Sequence, residues 1–271
     1  MKSGVCETRL REQQLEKFSY HRDGDSLALN SCRPRTVLPQ LLREHAWLRG
    51  TTDGELAKLV ASSHQRRFHS KEFLLRIGST TDSLIMVASG FVASTAVDAD
   101  GRGYISNWLG RGELLNVIPV LDRGATFHDY VAKTDVVAYT MGGETFRWLV
   151  QNNPNLSHQL LQYLCRRARK FQGDIHESTF SSLFSRCARV LLSLAESHGT
   201  LTPEGTRLNL AISQEELGEM LGCARQSVNK ELGRLEEMGA IALHSRARYL
   251  IRDMELLRRI ALLDLRAGAS A

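Results

Sequence analysis

Apolar positions recur along the chain in three rhythms. Over residues 38–150 they fall in short alternating runs, "EFLLRI", "SLIMVASGFVASTAV", "GYISNWL" and "DVVAYTM", with Gly78, Gly90, Gly101, Gly103, Gly110 and Gly112 between or beside them. Short strands punctuated by glycine predict an antiparallel roll or barrel. The stretch ahead of them, residues 41–68, reads as helical at its start, with Leu56, Leu59 and Val60 on one face. The second rhythm is longer: Leu160, Leu164, Ala168, Phe171 and Ile175 are spaced by four, four, three and four. That spacing predicts one long helix, with Asn153 as its cap and Pro154 in its first turn. Its near-heptad stripe serves either as a seam between two copies or as a face buried against the chain's own roll.

The third rhythm lies in "ISQEELGEMLGCARQSVNKELGRLEEMGAI", residues 212–241. Ser213 and Glu216 have the spacing of a capping box, in which each side chain satisfies the other residue's backbone amide. Leu217 and Leu221 with Met220 then give a short amphipathic helix. Gly222 is free to take the left-handed conformation that ends a helix. A second helix starts near Arg225, with Val228, Leu232 and Leu235 turned inward and Arg225, Gln226, Asn229 and Lys230 on the other side. The N-terminal end of such a second helix is the end that a helix-turn-helix presents to base edges. Arg and Lys suit guanine, and Gln and Asn suit adenine. "TRLNLAI" reads as a strand entering the corner, and "AIALHSRARYLIRD" as two strands around Ser245, Arg246 and Ala247. That pair is a wing whose Arg246 and Arg248 are placed to reach phosphates. A helical hairpin packed in some other core is the plainer alternative, but strand, corner and wing in this order favour DNA reading.

At these residues the chain resembles the Crp/Fnr family of bacterial transcription regulators. The resemblance implies Arg225, Gln226 and Lys230 as the main base contacts, and Ser213 and Ser227 as contacts on the phosphate side. Where the family often caps its recognition helix with a serine or threonine, this chain has Ala224, a loss of about 1 kcal/mol. The resemblance extends to "KEFLLRIGSTTDSLIMVASGFV", with Gly78 and Gly90 at turn positions, and covers roughly residues 38–253. It implies an α+β chain: an N-terminal antiparallel β-roll like cyclic-nucleotide-binding domains, a long connector and dimerisation helix, and a C-terminal winged helix-turn-helix. The expected divisions are 1–37 as an extension, 38–151 as the sensor roll, 152–180 as the connector and 181–271 as the DNA-binding domain. The expected partners are double-stranded DNA, a second copy of the chain and RNA polymerase. "HGTLTPEG", residues 198–205, reads as an exposed loop, either a plain connector or part of the polymerase-facing surface.

Cyclic-nucleotide members of the family hold the ligand with a Gly-Glu pair and an Arg-Ser or Arg-Thr pair, the arginine neutralising the phosphate. In "LGRGELLNVIPVLDRGATFHDYVAKTDVVAYTM" two registers compete. The one with fewer gaps puts Asn116 and Val117 at the first pair and Thr126 and Phe127 at the second, so carboxylate and guanidinium are both lost. The other uses Glu113 and Arg123, at the cost of a compensating deletion and insertion. The first is preferred, and cyclic AMP is then not expected, because a buried phosphate would lack a cation. An iron–sulfur cluster is not expected either. The five cysteines, Cys6, Cys32, Cys165, Cys187 and Cys223, are scattered, whereas such a cluster needs four thiolates together. Haem needs an axial ligand, and nothing lifts His64, His69 or His128 above ordinary surface histidines. No cofactor and no metal are expected.

Charge and composition change this picture little. The net charge of +5 sits mainly in the N-terminal tail and around "CRRARK", read as a solvated face, so it adds little to the DNA argument. No apolar run approaches the ~18 residues of a membrane span. Dispersed cysteines fit a reducing cytoplasm, and no hydrolase or nucleotide-loop motif is present. The expectation is a cytoplasmic, dimeric, sequence-specific DNA-binding regulator rather than an enzyme. The competing reading is an effector-independent DNA binder whose roll is only a dimer scaffold.

Overall fold

The computed structural model describes residues 34–45, 48, 50–97, 103–245 and 247–264. The chain divides into two compact units, Met1–Tyr163 and Leu164–Ala271. The division falls inside the long connector helix rather than at residue 152.

The first unit opens with α1 (Pro34–Glu44), which buries Leu38, Leu41 and Leu42. Helix therefore begins four residues inside the segment expected to be an extension. Helix α2 (Asp53–Ala61) starts on a capping box: Glu55 N donates to Thr52 Oγ1 at 3.3 Å and Thr52 N donates to Glu55 Oε2 at 2.8 Å. It buries Leu56 and Leu59. Strand β1 (Ser63–Phe68) was not foreseen in the helical reading of residues 41–68. Its sequence SHQRRF buries only Phe68, so its strand character comes from pairing rather than from apolar alternation.

Seven more strands complete the roll: β2 (Phe73–Leu75), β3 (Ser83–Ser89), β4 (Val92–Val97), β5 (Gly103–Leu109), β6 (Leu114–Leu115), β7 (Asp129–Ala132) and β8 (Val136–Gly142). They form two four-stranded antiparallel sheets, ordered β1-β8-β3-β6 and β2-β7-β4-β5. Both sheets contribute to one core that includes Phe68, Leu75, Ile85, Val87, Val92, Leu109, Leu115 and Tyr130. Each such side chain, fully buried, stabilises the unit by about 1.5–3 kcal/mol. The β3–β4 turn needs its glycine: Gly90 has φ +83°, and a Cβ there would lie 2.3 Å from the Asp135 carbonyl oxygen. A short helix α3 (Val117–Asp122) bridges β6 to β7, followed later by α4 (Gly143–Asn152) and α5 (Pro154–Phe180). Asn153 caps α5, its Oδ1 accepting from Leu156 N at 2.9 Å.

In the second unit α6 (Leu183–His198) buries Phe184, Cys187, Ala188, Leu191, Leu194 and Ala195 along one side. Strands β9 (Gly199–Thr202) and β10 (Gly205–Leu208) follow as a tight antiparallel hairpin. The segment read as an exposed loop is thus mostly strand, and the strand expected to run up to the corner ends at Leu208. The corner helices are α7 (Gln214–Leu221) and α8 (Arg225–Glu237). The wing strands are β11 (Ile241–Ser245) and β12 (Arg248–Ile251), and the sheet order is β11-β12-β10-β9. Helix α9 (Met254–Ala261) closes the unit, capped by Asp253, whose Oδ1 accepts from Leu256 N at 2.8 Å.

Candidate nucleic-acid interface and sensor pocket

The corner is built as a rigid bend. At its entry, Ser213 Oγ accepts from Glu216 N at 3.2 Å and Glu216 Oε2 accepts from Ser213 N at 2.8 Å, which completes the capping box. At its exit Gly222 takes φ +63°, and Cys223 N donates to the Gly218 carbonyl at 2.9 Å. Gly218 is needed for close approach: a Cβ there would lie 2.7 Å from the Cys223 carbonyl oxygen. The Arg186 guanidinium on α6 donates to the Leu221 carbonyl, so an orphan acceptor at the end of α7 is satisfied from the supporting helix. Helix α8 starts at Ala224 without a side-chain cap. Val228, Leu232 and Leu235 are no more than 1% exposed. Arg225, Gln226, Ser227, Asn229 and Lys230 are all exposed.

The wing is tied to this corner. Ile212 N donates to the Ala247 carbonyl at 2.9 Å, and Arg248 is exposed at the start of β12. Arg246 lies outside the described residues. Tyr249 is fully buried beneath, and burial next to the Glu216 carboxylate raises its phenol pKa. Burial also pushes the Cys187 thiol up to about 12 and raises that of Cys223. Burial thus disfavours the thiolate form at both of these cysteines near the corner.

In the roll, Asn116 sits at the N-terminus of α3 in a left-handed conformation, φ 67°. Its side chain is 2% exposed. Its Nδ2 donates to the carbonyls of Thr81 and Ser83, each at 3.0 Å, and its Oδ1 accepts from Thr126 Oγ1 at 3.0 Å. Ser79 Oγ donates in turn to Thr126 Oγ1 at 3.2 Å. The backbones are laced as well, Thr126 N to the Ser79 carbonyl at 2.8 Å and Gly78 N to the Thr126 carbonyl at 2.6 Å. Asn116 and Thr126 are thus brought together and bonded to each other. Val117 is buried as the first residue of α3, and Phe127 is 45% exposed.

Glu113 and Arg123 have different surroundings. Glu113 closes the β5–β6 turn, its Oε2 accepting from Gly110 N at 2.5 Å. Arg123 ends α3 in a left-handed conformation and lines an open cleft of about 320 Å³ with Thr80, Thr81, Asp82, Pro119, Gly124 and Arg147. Within that cleft Arg147 holds Asp82 through two hydrogen bonds, at 2.5 and 2.9 Å, and donates to the Val120 carbonyl at 2.8 Å. The Arg147 hydrogen bonds, aided by the charges of Arg147 and Arg123, hold the Asp82 carboxyl below its usual range.

Comparison with known proteins places this geometry. The cyclic nucleotide-binding domain model matches residues 65–153, and the Crp-like helix-turn-helix model matches residues 185–260. The chain belongs to the Crp/Fnr family. The family consists of DNA-binding transcription regulators, and this chain carries both of its domains in the family's order. It is similar to the cAMP-activated global transcriptional regulator CRP of Salmonella typhimurium, 27% identical over 197 residues, covering 72% of this chain and 93% of the relative. It is equally similar to the CRP-like cAMP-activated global transcriptional regulator of Mycobacterium tuberculosis, 27% identical over 224 residues, 83% of this chain and 100% of the relative. Among solved structures, a CRP-family transcriptional regulator from Thermus thermophilus superposes with a TM-score of 0.59 at 25% identity, covering 72% of this chain and 96% of that one.

Within this Crp/Fnr chain the connector stripe is only partly a free face. Leu160 is 3% exposed in the single chain, so its own chain already covers it. Leu164 is half-buried and Ala168 exposed, while the side chains of Phe171 and Ile175 lie outside the described residues. Leu161, absent from the heptad reading, is 60% exposed. Two further residues escaped sequence reasoning. Arg186 supports the corner from another helix, and Gln214 bonds to Asn229 across it. Neither shows a periodicity that would single it out. Among the described residues no group of three His, Cys, Asp or Glu is placed to hold a metal ion, and no helix is long and apolar enough to cross a membrane.

Proposed function

We propose that the chain acts as a homodimeric, sequence-specific DNA-binding transcription regulator whose roll does not take a cyclic nucleotide through the family's phosphate site. The observation that carries the DNA reading is the face of α8. Arg225, Gln226 and Lys230 are exposed on a helix whose opposite side is locked into the core. Arginine and lysine there suit guanine, and glutamine suits adenine. Ser227, Ser213 and the wing residue Arg248 supply phosphate contacts, joined by Arg246.

A two-fold axis is implied, because two recognition helices must sit about one DNA turn apart. Leu161 and Ala168, exposed, and Leu164, half-buried, are the apolar positions on α5 that such a pairing would cover. The hairpin β9–β10, with Leu201 83% exposed, is offered as a surface for RNA polymerase.

The relatives named above are cAMP-activated, yet the residues here do not fit that ligand at the matching positions. Glu113 belongs to the turn before β6, while Asn116 opens the short helix, which favours the register pairing Asn116 and Val117 with Thr126 and Phe127. In that register no cation faces the phosphate, and the amide and hydroxyl are satisfied by each other and by Thr81, Ser83 and Ser79. A cyclic phosphate would break these bonds and gain no charge partner.

Two measurements test the reading. Arg225→Ala should weaken specific DNA binding by about 1–3 kcal/mol; unchanged binding removes the assignment of α8 as reading helix. Calorimetric titration with cyclic AMP should give no heat. Micromolar binding would overturn the register and make Glu113 and Arg123 the pocket residues.

A further inference from the structure

The reading face of α8 carries a contact that the base-contact assignment does not use. Gln214, the first residue of α7, donates through Nε2 to Asn229 Oδ1 at 2.9 Å. Asn229 lies four residues after Arg225 and one before Lys230, so it shares their exposed side of α8. A hydrogen bond between partly exposed amides contributes little to folding. It does fix the orientation of an amide that would otherwise rotate, and a group held before binding loses less freedom on binding.

Orientation decides what an asparagine reads. Adenine recognition uses both ends of the amide, Oδ1 accepting from N6 and Nδ2 donating to N7. Here Oδ1 is turned to Gln214, and Nδ2 is the end left to face outward. The geometry points to Gln214 as a positioning residue that aims the Asn229 amide NH2 at the DNA, so that Asn229 selects bases with a major-groove keto acceptor, guanine or thymine, over cytosine. Guanine offers N7 and O6 as acceptors and thymine offers O4. Cytosine offers only its N4 donor, which would face the NH2 group donor to donor, while adenine sets a single acceptor, N7, beside the donor N6. The inference rests on α8 being the reading helix.

Selection from randomised double-stranded oligonucleotides tests it, using the full chain, Asn229→Ala, Gln214→Ala and Gln214→Glu. The wild type is expected to prefer guanine or thymine over cytosine at one position of each half-site, and Asn229→Ala to erase that preference. Gln214→Ala should cut it by roughly five-fold or more at that position alone. In Gln214→Glu the new carboxylate only accepts, so Asn229 must turn Nδ2 toward it and Oδ1 outward. The preference should then move to adenine or cytosine. All variants should melt with the wild type, since the bond lies at the surface.

An intact preference in Gln214→Ala overturns the inference. So does a uniform loss of affinity over all sequences with a shallower salt dependence, which would mark Gln214 as a phosphate contact. A wild type whose preferences vanish in Arg225→Ala but survive Asn229→Ala overturns it while leaving the DNA reading standing. A wild type that selects no sequence overturns both.

Discussion

The recognition helix and the sensor loop treat their polar side chains in opposite ways. On α8 the charged and amide groups face solvent from a helix whose other side is fixed by Val228, Leu232 and Leu235. In the roll, Asn116 and Thr126 are 2% exposed and bonded to each other and to neighbouring carbonyls. A polar group on a rigid face and open to water is available to a ligand. One satisfied inside the fold is already committed, and recruiting it to a ligand breaks the hydrogen bonds it makes there. The two regions match the two domains of one family, and they differ in how far their polar side chains are exposed.

Substitutions that exchange these roles should separate the regions. The largest effect is expected for Leu232→Ala, which should destabilise the C-terminal unit by about 2–5 kcal/mol. It would be read as a lower urea midpoint, whereas Arg225→Ala, on the outer side of the same helix, should shift the midpoint by less than about 0.5 kcal/mol. If both lower stability alike, α8 does not have a separate reading face.

Acid should act on the roll rather than on the corner. His45 follows α1, its N donating to the Leu41 carbonyl at 3.1 Å, and burial pushes its imidazole from 6.5 down to about 4. The unfolded chain therefore takes up the proton first as pH falls. Stability from the neutral ring is complete above about pH 6.5 and is lost progressively toward pH 4. The full loss is roughly 3 kcal/mol. Urea melts of the first unit over that window should show it, and His45→Gln should flatten the dependence. A pH-independent midpoint would contradict it.

A smaller effect is expected for Thr126→Val, which keeps the shape but leaves Asn116 Oδ1 and the Ser79 hydroxyl without their partner. It should lower roll stability by about 1–3 kcal/mol and leave DNA-site preference unchanged. A neutral result would mean that the sensor loop is looser than its hydrogen bonds suggest. The smallest effect is a gain. Ala224 already has the extended conformation of a cap, φ −67° and ψ 144°, so Ala224→Ser should stabilise α8 by about 1 kcal/mol and raise the melting temperature.

The corner was legible in the sequence because its signals are local. A capping box, an apolar triplet at helical spacing and a glycine turn all lie within thirty residues, and each has one physical meaning. Strand β1 was not legible, because five of its six residues remain at least partly exposed and its existence depends on pairing Ser63–Phe68 with β8. The hairpin β9–β10 was hidden for a related reason: its strands are four residues each, and Gly199, Pro203 and Gly205 read as turn. In the pocket the register could be weighed but not the network. Nothing in the spacing of Ser79, Asn116 and Thr126 announces that the fold will bring them together. The Gln214–Asn229 bond spans fifteen residues and two helices, and the seam reading counted Leu160 as free because periodicity alone cannot say which neighbour buries a stripe.

Gly218 has an implication for how such a protein diversifies. Because its Cα hydrogen sits against the Cys223 carbonyl, every other residue type would wedge the two corner helices apart. The angle between them is closed to stepwise mutation. Among the outer positions of α8, Asn229 is tied to α7 through Gln214, while Arg225, Gln226 and Lys230 are exposed and can be exchanged one at a time. New operator specificities are therefore reachable by single substitutions on a fixed mount, and lineages can rewire their target genes without passing through an unfolded ancestor.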